Sequence, residues 1–323
     1  MRKNSMVFIM IICLSAIVSL DACTPGSADN GDFDENLFSV VKVNAMDLIS
    51  PYAEQSPAAG AAAGGANDFA FRLSALLAQD AGGKNFVCSP FSVWLPLAAL
   101  VNATDALYKP ALITALGAGG LSETDINRAA SRMLYNLTDF DSRGNKDYHN
   151  PLKIANAIFV GKNVTLRNEF AQTYMDYFRG SSINVDFSSG DAVDAVNRWA
   201  SRNTDGLIKE VVNEFDQHTV AAIANAIYFS DKWRREFNEK DTREDVFHAP
   251  GGDSTAFYML HQDGLLPYYE DDAVQAAALG FTHNAGMYII LPKEGSATDF
   301  LASMTNEYFK QMQQGRSPIY RLK

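Results

Sequence analysis

TVAAIANAIYFSDKW, residues 219–233, is the stretch on which the fold turns. Between Val220 and Phe229 the run is apolar except for Asn225 at its middle. A strand with one wet face alternates apolar and polar residues; here both alternating sets are apolar, as in a strand covered on both sides. A helix competes for the same residues, because alanines are strong helix formers and Val220, Ile223, Ala224 and Ile227 also fit a helical stripe. Periodicity does not separate the two. No polar helix face exists, however, and the run closes on Ile227-Tyr228-Phe229, β-branched and aromatic, so the expectation is a long strand at the centre of a large sheet. Inside such a strand the Asn225 amide must find partners or cost about 1–3 kcal/mol, which predicts a polar cluster within an apolar core.

Working outward, the chain has 323 residues, 47% hydrophobic and 20% charged, enough to bury a large core as one big domain or two. Its formal net charge of −11 and lack of clustered Lys and Arg exclude a nucleic-acid binder. Arg2 and Lys3 precede an apolar run from Met6 to Leu20, a secretory signal too short for an ordinary membrane-spanning helix. Leu20-Asp21-Ala22-Cys23 is similar to a bacterial lipobox, which makes residues 1–22 the signal peptide and Cys23 a lipidated first residue. The expected location is then outside the cell, on an outer-membrane lipid anchor of a Gram-negative bacterium, with two or more acyl chains holding it stably. Cys13 leaves with the signal and, with Cys23 lipidated, no second cysteine remains to pair with Cys88, so no disulfide framework is expected, and Cys88 reads as a buried, inert thiol. Residues 23–66 read as an acidic tether (Asp29, Asp32, Asp34, Glu35) followed by an Ala/Gly-rich loop, SPAAGAAAGGA, either before the domain or in its first turn; 67–323 is the folded domain.

Within that domain, Phe69, Leu73, Leu76 and Leu77 space a helix over 67–79. Asn85 to Ser89 is a short apolar run, after which Ser92 is placed to cap a helix from Val93 to Asn102. Ser122 and Asp125 form a capping box for a helix to about Leu137, with Ile126, Met133, Leu134 and Leu137 inward. Leu152, Ile154, Ile158 and Val160 alternate as a strand in which Asn156 interrupts the apolar face. Phe170, Tyr174 and Phe178 give a helix with an aromatic core stripe, Ile183, Val185 and Phe187 a strand, and residues 191–202 another helix. Met287 to Leu291 reads as a buried strand stopped by Pro292, and Ser296 with Asp299 as a second capping box opening a helical stretch to about Gln314. Ser317 onward begins like a further strand.

Catalytic chemistry finds no foothold. The five histidines include no HExxH and no close pair, and neither a G-x-S-x-G elbow, a Walker loop nor a G-x-G-x-x-G occurs. Glu270-Asp271-Asp272 are adjacent and cannot face one another as an acid/base pair. The chain reads as no enzyme, with no metal and no cofactor.

Several segments, in one order, resemble the serpin family. Asn225-Ala-Ile-Tyr-Phe229 followed by Trp233 is similar to its N-A-I-Y-F-x-x-x-W signature, and Asn85-Phe-x-x-Ser89-Pro90-x-Ser92 to its N-I-x-x-S-P-x-S. Ala155-Asn156-Ala-Ile-Phe159, Asn197-x-Trp199 with Thr204 and Ile208, Thr242 to Phe247, Met259, and Met287 to Pro292 resemble further family segments. The resemblance implies an α+β fold of three sheets and about nine helices. It also implies a monomeric inhibitor of serine proteases, or for some members of cysteine proteases, that works by suicide trapping. The protease cleaves an exposed reactive loop, which then inserts as an extra strand into the large sheet. Ser89, Ser92 and Asn225 match the family's polar cluster beneath the place where that sheet opens, and Trp233 matches the tryptophan where insertion begins. The reactive loop and the last strands would follow Lys323, so the chain reads as lacking them. A non-inhibitory binding or scaffold protein on the same fold is the alternative, and the composition of the loop would separate the two.

Overall fold

The computed structural model describes residues 5–14, 57–138, 151–216, 218–248, 254–259, 261, 266–283, 285–315 and 317–319. Two compact units divide the chain: Ser5–Ala70 with Val87–Phe229, and Phe71–Phe86 with Ser230–Lys323.

The first unit is built on a four-stranded sheet. Its strands are β1 (Ser5–Leu14), β2 (Leu152–Gly161), β3 (Gly180–Val185) and β4 (Ala221–Ser230), in the order β1-β4-β2-β3. β4 is the expected central strand, and β1, its neighbour, lies within the expected signal peptide (residues 1–22), which the sequence did not mark as a sheet strand. β4 runs antiparallel to β2, with Asn225 opposite Asn156 and Ile223 opposite Ile158. β2 and β3 are parallel, which requires a crossover, supplied by helix α5 (Asn168–Phe178).

The two faces of β4 have different tasks. Ile223 packs with Ile158 and Val160 against Trp94 and Leu95 of α2 (Pro90–Leu100), Leu134 of α4 (Glu123–Thr138), and Phe170, Tyr174 and Phe178 of α5. The opposite face is floored with small side chains, Ala222, Ala224 and Ala226, which meet Val196 and Trp199 of α6 (Gly190–Asn203). That is why both alternating sets in the sequence are apolar: each meets a layer of helix.

The second unit holds β7 (Leu266–Glu270), β8 (Val274–Gly280), β9 (Gly286–Pro292) and β10 (Ser317–Ile319) in the order β10-β7-β8-β9. β5 (Arg243–His248) and β6 (Ser254–Met259) form an antiparallel pair. Helices α7 (Ala297–Ser303) and α8 (Asn306–Gln314) complete it, with Met304 and Met312 buried against Tyr269, Val274 and Ala276. Both expected capping boxes form: the Asp125 amide donates to Ser122 Oγ at 3.2 Å, and that of Asp299 to Ser296 Oγ at 3.1 Å. With α3 (Lys109–Ala115), there are eight α-helices and three sheets among the described residues, an α+β fold.

Several expectations are corrected. The Ala/Gly-rich stretch is not a loop: α1 runs from Pro57 to Ala81, because alanine favours helix and the glycines permit close packing (Gly65 lies against Gly117). The helix expected at Val93 starts at Pro90, which suits a first helical position, and Ser89 rather than Ser92 is its cap. Pro96 therefore lies inside α2, and its missing N–H leaves the Ser92 carbonyl without a helical donor. Residues 85–89 form no strand, Phe86 and Val87 are exposed and Cys88 is only half-buried, since an apolar run without a neighbouring strand has nothing to pair with. Leu137, one residue before the end of α4, is exposed rather than inward. β9 is not buried: Met287, Ile289 and Leu291 are 47%, 49% and 61% exposed. The helical stretch after Ser296 breaks at Met304 into α7 and α8, with Thr305 capping the second. Cys23, the tether to Glu35 and the charged loop at 139–150 lie outside the described residues.

Candidate functional site

Asn225 sits at the middle of β4 with no exposure to solvent. Antiparallel register brings it opposite Asn156, and its Nδ2 donates to Asn156 Oδ1 at 2.8 Å. Asn156 Nδ2 in turn donates 2.7 Å to the carbonyl of Phe178, the last residue of α5. Two amides thus form a chain of hydrogen bonds from the central strand, through its neighbour, to the end of a helix. The chain is incomplete: Asn225 Oδ1 is buried with no partner among the described residues. A buried acceptor without a donor costs about 1–3 kcal/mol, so the core carries a polar defect inside the sheet of β1 to β4.

The two serines assigned to the same cluster are also buried or half-buried, at the start of α2. Ser92 Oγ donates to Ser89 Oγ at 2.9 Å, while the Ser92 amide reaches the Ser89 carbonyl and side chain at 3.1 and 3.4 Å. Asn156 and Asn225 share the β-face of Ile158 and Ile223, the face that packs on α2. Among the described residues, no hydrogen bond links the serine pair to the asparagine pair. The expected cluster is therefore two pairs under one face of the sheet, and Asn156 replaces the serines as the direct partner of Asn225. Its signal was an asparagine interrupting the apolar face of β2, the same signal that singled out Asn225.

Trp233 follows the end of β4. It forms an isolated antiparallel bridge with Phe281, and the two rings stack at 4.4 Å with planes 14° apart. Phe237 meets the indole edge-on at 5.8 Å. Beside it, Asp231 and His283 are joined side chain to side chain, Oδ1 to Nδ1, at 2.9 Å. These residues lie 52 positions apart and carry no local motif, so nothing in the linear sequence points to the pair. No group of three or more His, Cys, Asp or Glu that could hold a metal occurs among the described residues, and no described helix is long and apolar enough to cross a membrane.

The family model described as serpin (serine protease inhibitor) matches residues 64–322. An uncharacterised serpin-like protein of Thermococcus kodakarensis is 38% identical over 147 residues, 45% of this chain and 34% of its own length. The alpha-1-antiproteinase of Rattus norvegicus is 25% identical over 289 residues, covering 87% of this chain and 69% of the relative. The chain thus spans between about one-third and two-thirds of the length of these relatives. Among solved structures, reactive-loop-cleaved human thyroxine-binding globulin superposes with a TM-score of 0.71 at 20% identity, covering 79% of this chain and 75% of the other. Cleaved kallistatin complexed with heparin gives a TM-score of 0.70 at 23% identity, with the same coverage. These likenesses concern the fold.

Proposed function

The chain belongs to the serpin family, and from that membership we propose that it forms the body of a serine-protease inhibitor that traps its target by strand insertion. The observation that carries the reading is Asn225: a fully buried amide in the central strand, with an acceptor left over. A strand selected only for stability would place an apolar residue there. A sheet that must take a strand beside β4, on the edge where β1 of the expected signal peptide pairs here, benefits from a polar group at its centre, because that group is costly while unpaired and stabilising once a donor arrives. Strand insertion then supplies the driving force, since pairing an open edge satisfies a row of backbone groups.

In this scheme the protease attacks a reactive loop, forms an acyl-enzyme, and is carried with the cleaved loop as it enters the sheet beside β4. Ser89 and Ser92 hold the start of α2 beneath the sheet, Asn156 and Asn225 form its polar centre, and Trp233 marks the end where insertion begins. The chain supplies no catalytic group. Its partner is a serine protease, or a cysteine protease as in some members of the family, and the protein acts as a monomer. In this reading the signal at residues 1–22, whose Ser5–Leu14 forms β1 here, is removed on export and a lipidated Cys23 holds the protein at the cell surface; labelling cells with a radioactive fatty acid tests the lipid, and loss of label in Cys23→Ser is the expected result.

Incubation of the natural protein, isolated from its own cells, with trypsin-like, chymotrypsin-like and subtilisin-like proteases tests the function. Trapping predicts a complex that survives boiling in detergent and contains both chains. Cleavage of the protein without such a complex, by every protease tried, overturns trapping in favour of a non-inhibitory binding protein on the same fold.

A further inference from the structure

Beyond β4 the chain is held by a pair of side chains that the trapping scheme does not use. Asp231 follows the last residue of β4, and its side chain is only 3% exposed. Its Oδ1 lies 2.9 Å from His283 Nδ1 and also accepts from the Lys232 amide at 2.7 Å, while Oδ2 accepts from the His283 amide at 3.0 Å. The carboxylate therefore takes donors on both oxygens, two of them from one residue in the turn after β8.

Backbone contacts reinforce this grip. The Thr282 amide and hydroxyl both donate to the Lys232 carbonyl, at 2.9 and 3.1 Å. The Arg234 amide donates to the Gly280 carbonyl at 2.9 Å, and Trp233 bridges to Phe281 between them. Residues 231–234 are thus joined to residues 280–283 at each step, and Asp231 is where the join begins.

We propose that Asp231 and His283 form a latch: a positioning pair that locks the end of β4, with Trp233, onto the turn after β8 and so sets how readily that end of the strand frees itself. The inference rests on the reading of Trp233 as the start of strand insertion and assigns a regulator to that site. A buried carboxylate that loses its imidazole partner keeps only backbone donors. The segment that carries Trp233 then opens more often, while the paired centre of β4 against β2 is untouched. The pair acts on insertion through the position of β4 and touches no protease.

Hydrogen exchange of the full chain tests the latch, with 5-fluorotryptophan labelling to report on each indole. In His283→Ala, the amides of residues 230–234 and 280–283 are expected to exchange about tenfold faster, the loss that one charged hydrogen bond accounts for. The Trp233 resonance moves, while those of Trp94 and Trp199 stay in place. His283→Asn, whose Nδ2 can donate from nearly the position of Nδ1, restores both readouts. Unchanged exchange at residues 230–234, or acceleration shared equally by β2 and β3, overturns the latch, the second because it reports general destabilisation. If His283→Ala does not fold, Asp231→Asn read against the His283→Asn protein decides the same question. The absence of a protease complex bears on the proposed function alone, so the two readings fail separately.

Discussion

Asn225 and Tyr174 each bury an oxygen that has no partner among the described residues, and they carry opposite expectations. Asn225 Nδ2 holds Asn156, so the amide earns part of its place through that bond. The Tyr174 hydroxyl does nothing comparable. Its ring stacks between Phe170 and Phe178 at 5.8 and 6.3 Å and fills the space left by Gly180, where a Cβ would come within 2.2 Å of it. Burial pushes the Tyr174 pKa up, so the phenol remains neutral and is a plain unsatisfied donor. Tyr174→Phe keeps the ring and removes the orphan, so it is expected to stabilise the protein by up to about 1–3 kcal/mol. Chemical denaturation measures this; a loss of stability would mean that the hydroxyl has a partner. Asn225 was legible in the sequence because a single amide in a ten-residue apolar run stands out. The missing partner of Tyr174 was not, because a tyrosine in an aromatic stripe looks the same whether or not its hydroxyl is satisfied.

At the scale of elements, α1 and the turn at Gly117 approach so closely that neither position tolerates a side chain. A Cβ on Gly65 would lie 2.1 Å from the Gly117 carbonyl oxygen, and Gly117 itself has a φ of +70°. Gly65→Ala is therefore expected to destabilise by about 1–3 kcal/mol through overpacking, even though alanine is the better helix former. Calorimetry of the variant checks it, and a rise in melting temperature would contradict the packing described. The same contact explains why the Ala/Gly-rich stretch escaped a helical reading: its helix is anchored by a backbone contact with a residue 52 positions away, and composition alone resembles a linker. In the other unit, Asp271 ties α8 to the β7–β8 turn. Burial raises its pKa, but hydrogen bonds from Tyr269, Tyr308 and the Ala273 and Val274 amides outweigh this and hold it below the ordinary value. A lowered folded pKa contributes stability that is present above the unfolded value and lost as pH falls through the folded one. The melting temperature of the wild type should thus fall on acidification below about pH 4, while that of Asp271→Asn starts lower and changes less across the same window. Equal slopes for the two proteins would remove Asp271 from the account. The sequence showed Asp271 only as one of three adjacent acids; its role depends on Tyr308, which tertiary folding brings to it.

For the whole molecule, the pattern of apolar residues located the central strand and the cover on both its faces, because periodicity reports burial on two faces, but β1, β6, β7 and β8 escaped it. It misjudged β9, where an apolar strand leaves Met287, Ile289 and Leu291 exposed. Periodicity reports what a strand is suited to bury, not whether a covering layer is present. Those three residues share one face of the strand, and Ile289 lies opposite Ala277 of β8 and Met287 opposite Leu279. An exposed apolar strip of this kind promotes association. Ile289→Lys is expected to reduce binding of a hydrophobic dye and concentration-dependent aggregation while changing stability by no more than about 0.5 kcal/mol. Undiminished dye binding would place the sticky surface elsewhere.

The trapping proposal requires that the edge of β4 paired here with β1 (Ser5–Leu14) takes a different strand once the signal peptide that carries β1 has been removed. The most direct measurement is the melting temperature of the natural protein before and after limited proteolysis that cuts a single exposed loop. Insertion of the cut loop pairs the freed edge of β4 and brings a donor within reach of Asn225, so the cleaved protein is expected to melt well above the intact one. A cleaved protein that melts at or below the temperature of the intact one would contradict it.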